Sequence, residues 1–124
     1  MAELLKSSPA VEIDRVLGQV ATQCVRLIDR DALRLYLARH AAAADILLPA
    51  VAIARSRLGE SPRLSLEIYR DPEFGGEQLS LYARSDHYSV PFLEALQAAA
   101  AEVGLLGAGK DETFLLLSDF QPPR

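Results

Sequence analysis

The chain has 124 residues, half of them hydrophobic and a quarter charged, with net charge −4 and one cysteine. That length suits a single domain with one core. The charge argues against a general nucleic-acid or anionic-membrane binder, and a lone Cys24 excludes an internal disulfide and a cysteine-built zinc cage.

Ser7-Ser8-Pro9 reads as a helix start, and Ile13, Val16, Leu17, Val20, Cys24, Leu27 and Ile28 recur at spacings of three and four, predicting one long apolar helical face. Asp29 or Asp31 offers a new cap, and Leu33, Tyr36, Leu37 and His40 continue a helical stripe. The Ala41–Ala44 run favours helix with little to pack; Asp45 is expected to cap a third segment with Pro49 in its first turn, ended by Gly59. The period then switches to two. Leu64, Leu66 and Ile68 alternate with Ser65, Glu67 and Tyr69, and Leu79, Leu81 and Ala83 with Ser80, Tyr82 and Arg84. With Asp71-Pro72 and Gly75-Gly76 between them, the two runs predict a β-hairpin. Ser89 caps a further helix with Phe92, Leu93, Leu96, Ala100 and Val103 on its face, and Gly104 is expected to stop it. Thr113–Leu117, apolar on both faces, reads as a short strand buried by its neighbours.

The order predicts one α+β domain over residues 1–124, with a helical front at about 8–59 and a ββαβ part at about 63–118. Helices should cover one face of a small sheet. The other face should carry Ser65, Glu67, Tyr69, Ser80, Tyr82 and Arg84. A register that sets Glu67 near Arg84 and Tyr69 near Tyr82 makes these either cross-strand stabilisers or a partner-binding surface.

Gly104–Lys110 matches Gly-x-x-x-x-Gly-Lys, the phosphate-cradling loop. That loop joins a strand to a helix, whereas here a helix leads in and a strand leads out, and Asp111 replaces the magnesium-binding hydroxyl. No nucleotide or other cofactor is expected. Arg84, Asp86, His87 and Tyr88 form the densest group of reactive side chains; His87 is a candidate base beside Asp86, against the alternative that the segment only shapes a turn and a cap. Asp71, Glu73 and Glu77 do not have the spacing of a calcium loop, and His40 and His87 lie far apart, so no metal is expected. Arg26, Arg30 and Arg34 would line one face of a continuous helix and grip phosphates, against the alternative of a solvated face paired to Asp29 and Asp31.

The segment from Leu64 to Arg84, with the helix from Val90 and the closing TFLLLSDF, resembles a group of small bacterial proteins. They share strand, Asp-Pro-Glu, acidic loop, strand, helix and short last strand; the matching residues are Leu66, Glu67, Asp71, Pro72, Glu73, Leu79, Leu81 and Arg84. The resemblance covers the second half of the chain. It implies that fold pattern and a bacterial cytoplasmic setting, and no particular activity. Many of those sequences carry an aromatic residue, often tryptophan, after the helix; this chain has no tryptophan.

The expectation is a non-enzymatic interaction or oligomerisation module, with a homodimer or another protein as partner. A ligand-binding or enzymatic site at Arg84-Asp86-His87-Tyr88 and nucleic-acid binding at the arginine stripe are the alternatives. A cytoplasmic location is expected, because the start lacks a continuous apolar stretch and the longest apolar run, Ile46–Ala54, is too short to span a bilayer.

Overall fold

The computed structural model describes residues 9–70, 72–73, 75–109 and 114–118. Helix α1, Pro9–Thr22, opens on proline, where a missing amide is tolerated, and buries Ile13, Val16, Leu17 and Val20. The apolar stripe does not continue as helix. The Gln23 and Cys24 amides bond back to the Val20 and Ala21 carbonyls at 3.0 and 3.1 Å, Cys24 takes φ 62°, and Val25–Leu27 forms strand β1. Apolar residues at 24, 27 and 28 satisfy a helical period, yet Val25 and Leu27 equally satisfy a strand. What decides between them is a distant pairing partner, Leu64–Leu66, which local spacing does not reveal.

Helix α2, Arg30–Arg39, is capped by Asp29, whose Oδ1 accepts the Ala32 amide at 3.2 Å. It ends at His40, whose ring stacks on Tyr36 at 4.2 Å between centroids. Helix α3 is Ala41–Leu58, so the expected start at Asp45 is corrected. The alanine run is its first turn, Ala43 is buried against the core, and Pro49 lies inside the helix. Pro49 is tolerated there because both it and Asp45, whose carbonyl loses its partner, face solvent. Gly59, at φ 78°, ends α3 as expected, its amide bonding Arg55 O at 2.9 Å.

Strands β2, Arg63–Arg70, and β3, Glu77–Arg84, form the predicted hairpin. Helix α4 runs Val90–Gly109, with Ser89 Oγ accepting the Phe92 amide at 3.2 Å. It passes through Gly104 rather than stopping there, because Val103 and Leu106 keep packing on the core while Gly104 faces solvent. Strand β4 is Leu115–Leu117; Leu116 is buried but Leu115 is not, so this strand is covered on one face only.

The four strands lie in the order β1-β2-β3-β4, with β1 parallel to β2, β2 antiparallel to β3 and β3 parallel to β4. The fold is α+β, with one more strand among the described residues than expected. One hydrophobic cluster joins Leu17, Leu33, Leu47, Ala54, Leu66, Leu81, Val103 and Leu116, so the helices share one face of the sheet. Among the described residues α4 is the one helix long and apolar enough, by length and composition, to cross a membrane. Leu96, Ala99 and Val103 bury its inner side, and Glu102 pairs with Arg57 of α3, the arrangement of a layer helix.

Candidate functional site: the helix-free face of the sheet

Strand alternation sends Arg26, Arg63, Ser65, Glu67, Tyr69, Gln78, Ser80, Tyr82, Arg84, Leu115 and Leu117 to the face opposite the helices. The hairpin register differs from the expected one. Glu67 stands opposite Ser80, Tyr69 opposite Gln78, and Arg84 opposite Arg63. The expected register centred the turn on Gly75-Gly76, whereas the ladder closes at Arg70 opposite Glu77 and leaves both glycines on the return limb. Tyr69 and Tyr82 therefore do not pair.

Glu67 and Arg84 nevertheless meet. Arg84 reaches back along the strands so that Nη1 donates to Glu67 Oε2 at 3.0 Å and to Ser65 Oγ at 2.9 Å. Ser65 Oγ in turn donates to Glu67 Oε2 at 2.7 Å. The Arg84 guanidinium also lies over the Tyr82 ring, 4.7 Å from its centroid. Arg84 and Glu67 side chains are 7% and 23% exposed, so this is a mostly dry ion pair anchoring the centre of the face.

The face is graded across its width. On the β4 side lie Leu115, Leu117 and Tyr82; on the β1 side lie Arg26, Ser65 and Arg63. Around the basic end opens a groove of about 430 Å³, floored by Ser65, Glu67 and Arg84 and walled by Arg26, Arg63 and the turn at Glu60–Pro62. Arg55 of α3 closes its base. Its guanidinium donates to Pro62 O at 2.9 Å and Cys24 O at 3.2 Å, tying the start of β2 to the start of β1. Cys24, expected inside an apolar stripe, is exposed on this rim.

The other candidate residues lie elsewhere. Asp86 and His87 are exposed on the β3–α4 loop and do not line the groove. Ser85 Oγ donates to His87 O at 2.9 Å and accepts its amide at 3.2 Å, while Tyr88 Oη accepts the Ser85 amide and shares a hydrogen bond with Ser118 Oγ, each at 3.2 Å. Arg26, Arg30 and Arg34 do not share a helix face, because β1 interrupts it. Arg26 is in the strand, Arg30 opens α2, and Arg34 bonds Asp14 at 2.6 Å and Asp31 at 3.2 Å. Hydrogen bonding to Asp14 raises the Arg34 pKa further above its ordinary value. Asp71, Lys110 and Asp111 lie outside the described residues. Glu73 is exposed, and Glu77 pairs with Arg70 at 3.1 Å and Arg39 at 3.8 Å. Among the described residues no cluster of His, Cys, Asp or Glu is placed to hold a metal. Gly104–Gly109 is helix, whose amides are spent on helical bonds, not a loop with amides turned toward a phosphate.

Sequence reasoning missed Arg55, Arg63 and Ser61 as groove residues. Arg63 was within reach, since the alternation that groups Ser65 with Glu67 extends back to it. Arg55 was not, because its role depends on where β1 and β2 meet. Comparison with protein-family models, characterised proteins and solved structures finds no match for this chain.

Proposed function

We propose that this chain is a non-enzymatic interaction module that meets another protein, first of all a second copy of itself, through the helix-free face of its sheet. The observation that carries this reading is the apolar flank of that face. Leu115 is 44% exposed, with Tyr82 and Leu117 half-buried beside it, and Tyr69, 49% exposed, stands apart from them on β2 opposite Gln78. Tyrosine anchors inside a partly polar rim are the usual content of protein contact sites. Strands β1 and β4, three residues each, end the sheet on both sides, so a face-to-face contact suits this sheet better than edge addition. A reducing cytoplasm fits the single thiol. Light scattering across a concentration series tests the reading: a dimer is expected, and Tyr69→Glu with Leu115→Glu shifts it to monomer without unfolding it. A chain that stays monomeric at every concentration and captures no specific protein overturns the proposal.

A further inference from the structure

A two-fold axis between two facing copies of the sheet can run along the strands or across them, and each choice matches different rows of residues. The strand register fixes those rows on the helix-free face. Tyr69 and Gln78 share the row nearest the hairpin turn, and Glu67, Ser80 and Leu115 share the next. Arg26, Ser65, Tyr82 and Leu117 follow, and Arg63 with Arg84 forms the last. Leu115 and Leu117 therefore lie along one side of the face, on β4, while Arg26 is exposed on β1 at the other side. Tyr69 and Arg63, both exposed, stand near opposite ends of β2.

An axis along the middle of the sheet keeps each row in place and reverses the strand order. It lays β4 on β1, so Leu115 and Leu117 meet a strand whose outward residue is the charged Arg26. Moving that axis to β4 brings the leucines together but leaves most of the face uncovered. An axis across the strands keeps each strand over its own counterpart and exchanges the rows. At the level of Leu66, Leu81 and Leu116, it sets Leu115 on Leu117 of the second copy, Glu67 on Ser65 and Tyr69 on Arg63, each twice by symmetry. Resting on the self-contact proposed above, we infer that the dimer is built on this crosswise axis, with leucine on leucine along β4 and a Tyr69–Arg63 contact at both ends of β2. A tyrosine ring takes a guanidinium on its face, as Tyr82 takes Arg84 within the chain at 4.7 Å. Arg63 is then a residue that selects the orientation of the second copy.

The test is intermolecular NOE spectroscopy on the parent chain, with isotope-labelled and unlabelled copies mixed. Contacts between copies are expected from the Tyr69 ring to the Arg63 side chain and from Leu115 methyls to Leu117 methyls. Arg63→Glu should raise the dimer dissociation constant about tenfold, and Arg63→Lys, which keeps a cation without the flat guanidinium, by less. In a Cys24→Ser background, a short bismaleimide should join Tyr69→Cys chains to Arg63→Cys chains, and neither kind to itself. Joining of Tyr69→Cys chains to one another, or contacts from Leu117 of one copy to Arg26 of the other, indicates the lengthwise axis; it overturns this inference and leaves the self-contact standing. A chain that is monomeric at every concentration, or one whose contacts map to another surface, overturns the self-contact and the axis together.

Discussion

At the scale of single residues, the Glu67–Arg84 pair and the Asp29 cap give the sharpest expectations. Glu67→Gln keeps the shape of the side chain but removes the negative charge that Glu67 sets against a mostly buried guanidinium. It should lower unfolding free energy by about 2 kcal/mol in urea titration, whereas replacing both residues with leucine should be closer to neutral. Asp29 sits at φ 56°, a region costly for residues with a Cβ, and uses its carboxylate to cap α2. Asp29→Ala loses the cap and keeps the strain, so a cost of about 1–2 kcal/mol is expected. Asp29→Gly loses the cap but relieves the backbone, and should cost only a few tenths. Equal losses in the two variants would show that the side-chain hydrogen bond alone matters. The cap was legible in the sequence, because Asp before an apolar period is a local signal. The ion pair was legible as a pair of residues on one face, but its geometry was not, since Arg84 reaches Glu67 diagonally from a position opposite Arg63.

At the scale of elements, the glycine question at the end of α4 has a measurable form. A Cβ built on Gly104 meets nothing within 4 Å, and the residue is helical and exposed. Gly104→Ala should therefore stabilise the protein by about 0.5–1 kcal/mol, through helix propensity alone. Had the helix ended there with a left-handed glycine, the same change would destabilise, so the sign of the shift in thermal midpoint distinguishes the two arrangements. Periodicity identified the helices and the hairpin strands because each amphipathic pattern is written within one segment. It failed where two readings share the same apolar positions. Val25–Leu27 looked like the end of α1, and Ala41–Ala44 looked like helix with little to pack, until pairing with β2 and packing of Ala43 on the core decided them. Glycine misled at Gly104 for a related reason. A helix continues through glycine when the residues around it still have a core to meet.

At the scale of the whole molecule, the four helices and four strands of the described residues all contribute to one hydrophobic cluster, from Ile13 of α1 to Leu116 of β4. A single core spanning both the helical front and the ββαβ part predicts one cooperative transition, with tyrosine fluorescence and far-ultraviolet dichroism superimposing in urea. Two separated transitions would show that the two parts fold on their own. Composition and patterning by themselves determined the α+β class, the hairpin and the membership of its polar face, because these follow from the spacing of apolar residues along short stretches. Tertiary structure alone decided the fourth strand, the hairpin register and the basic groove. Each of these depends on which distant segments lie side by side: β1 exists through β2, the register through the length of the turn between its strands, and the groove through the meeting of Arg26, Arg55, Arg63 and Arg84 from four separate elements.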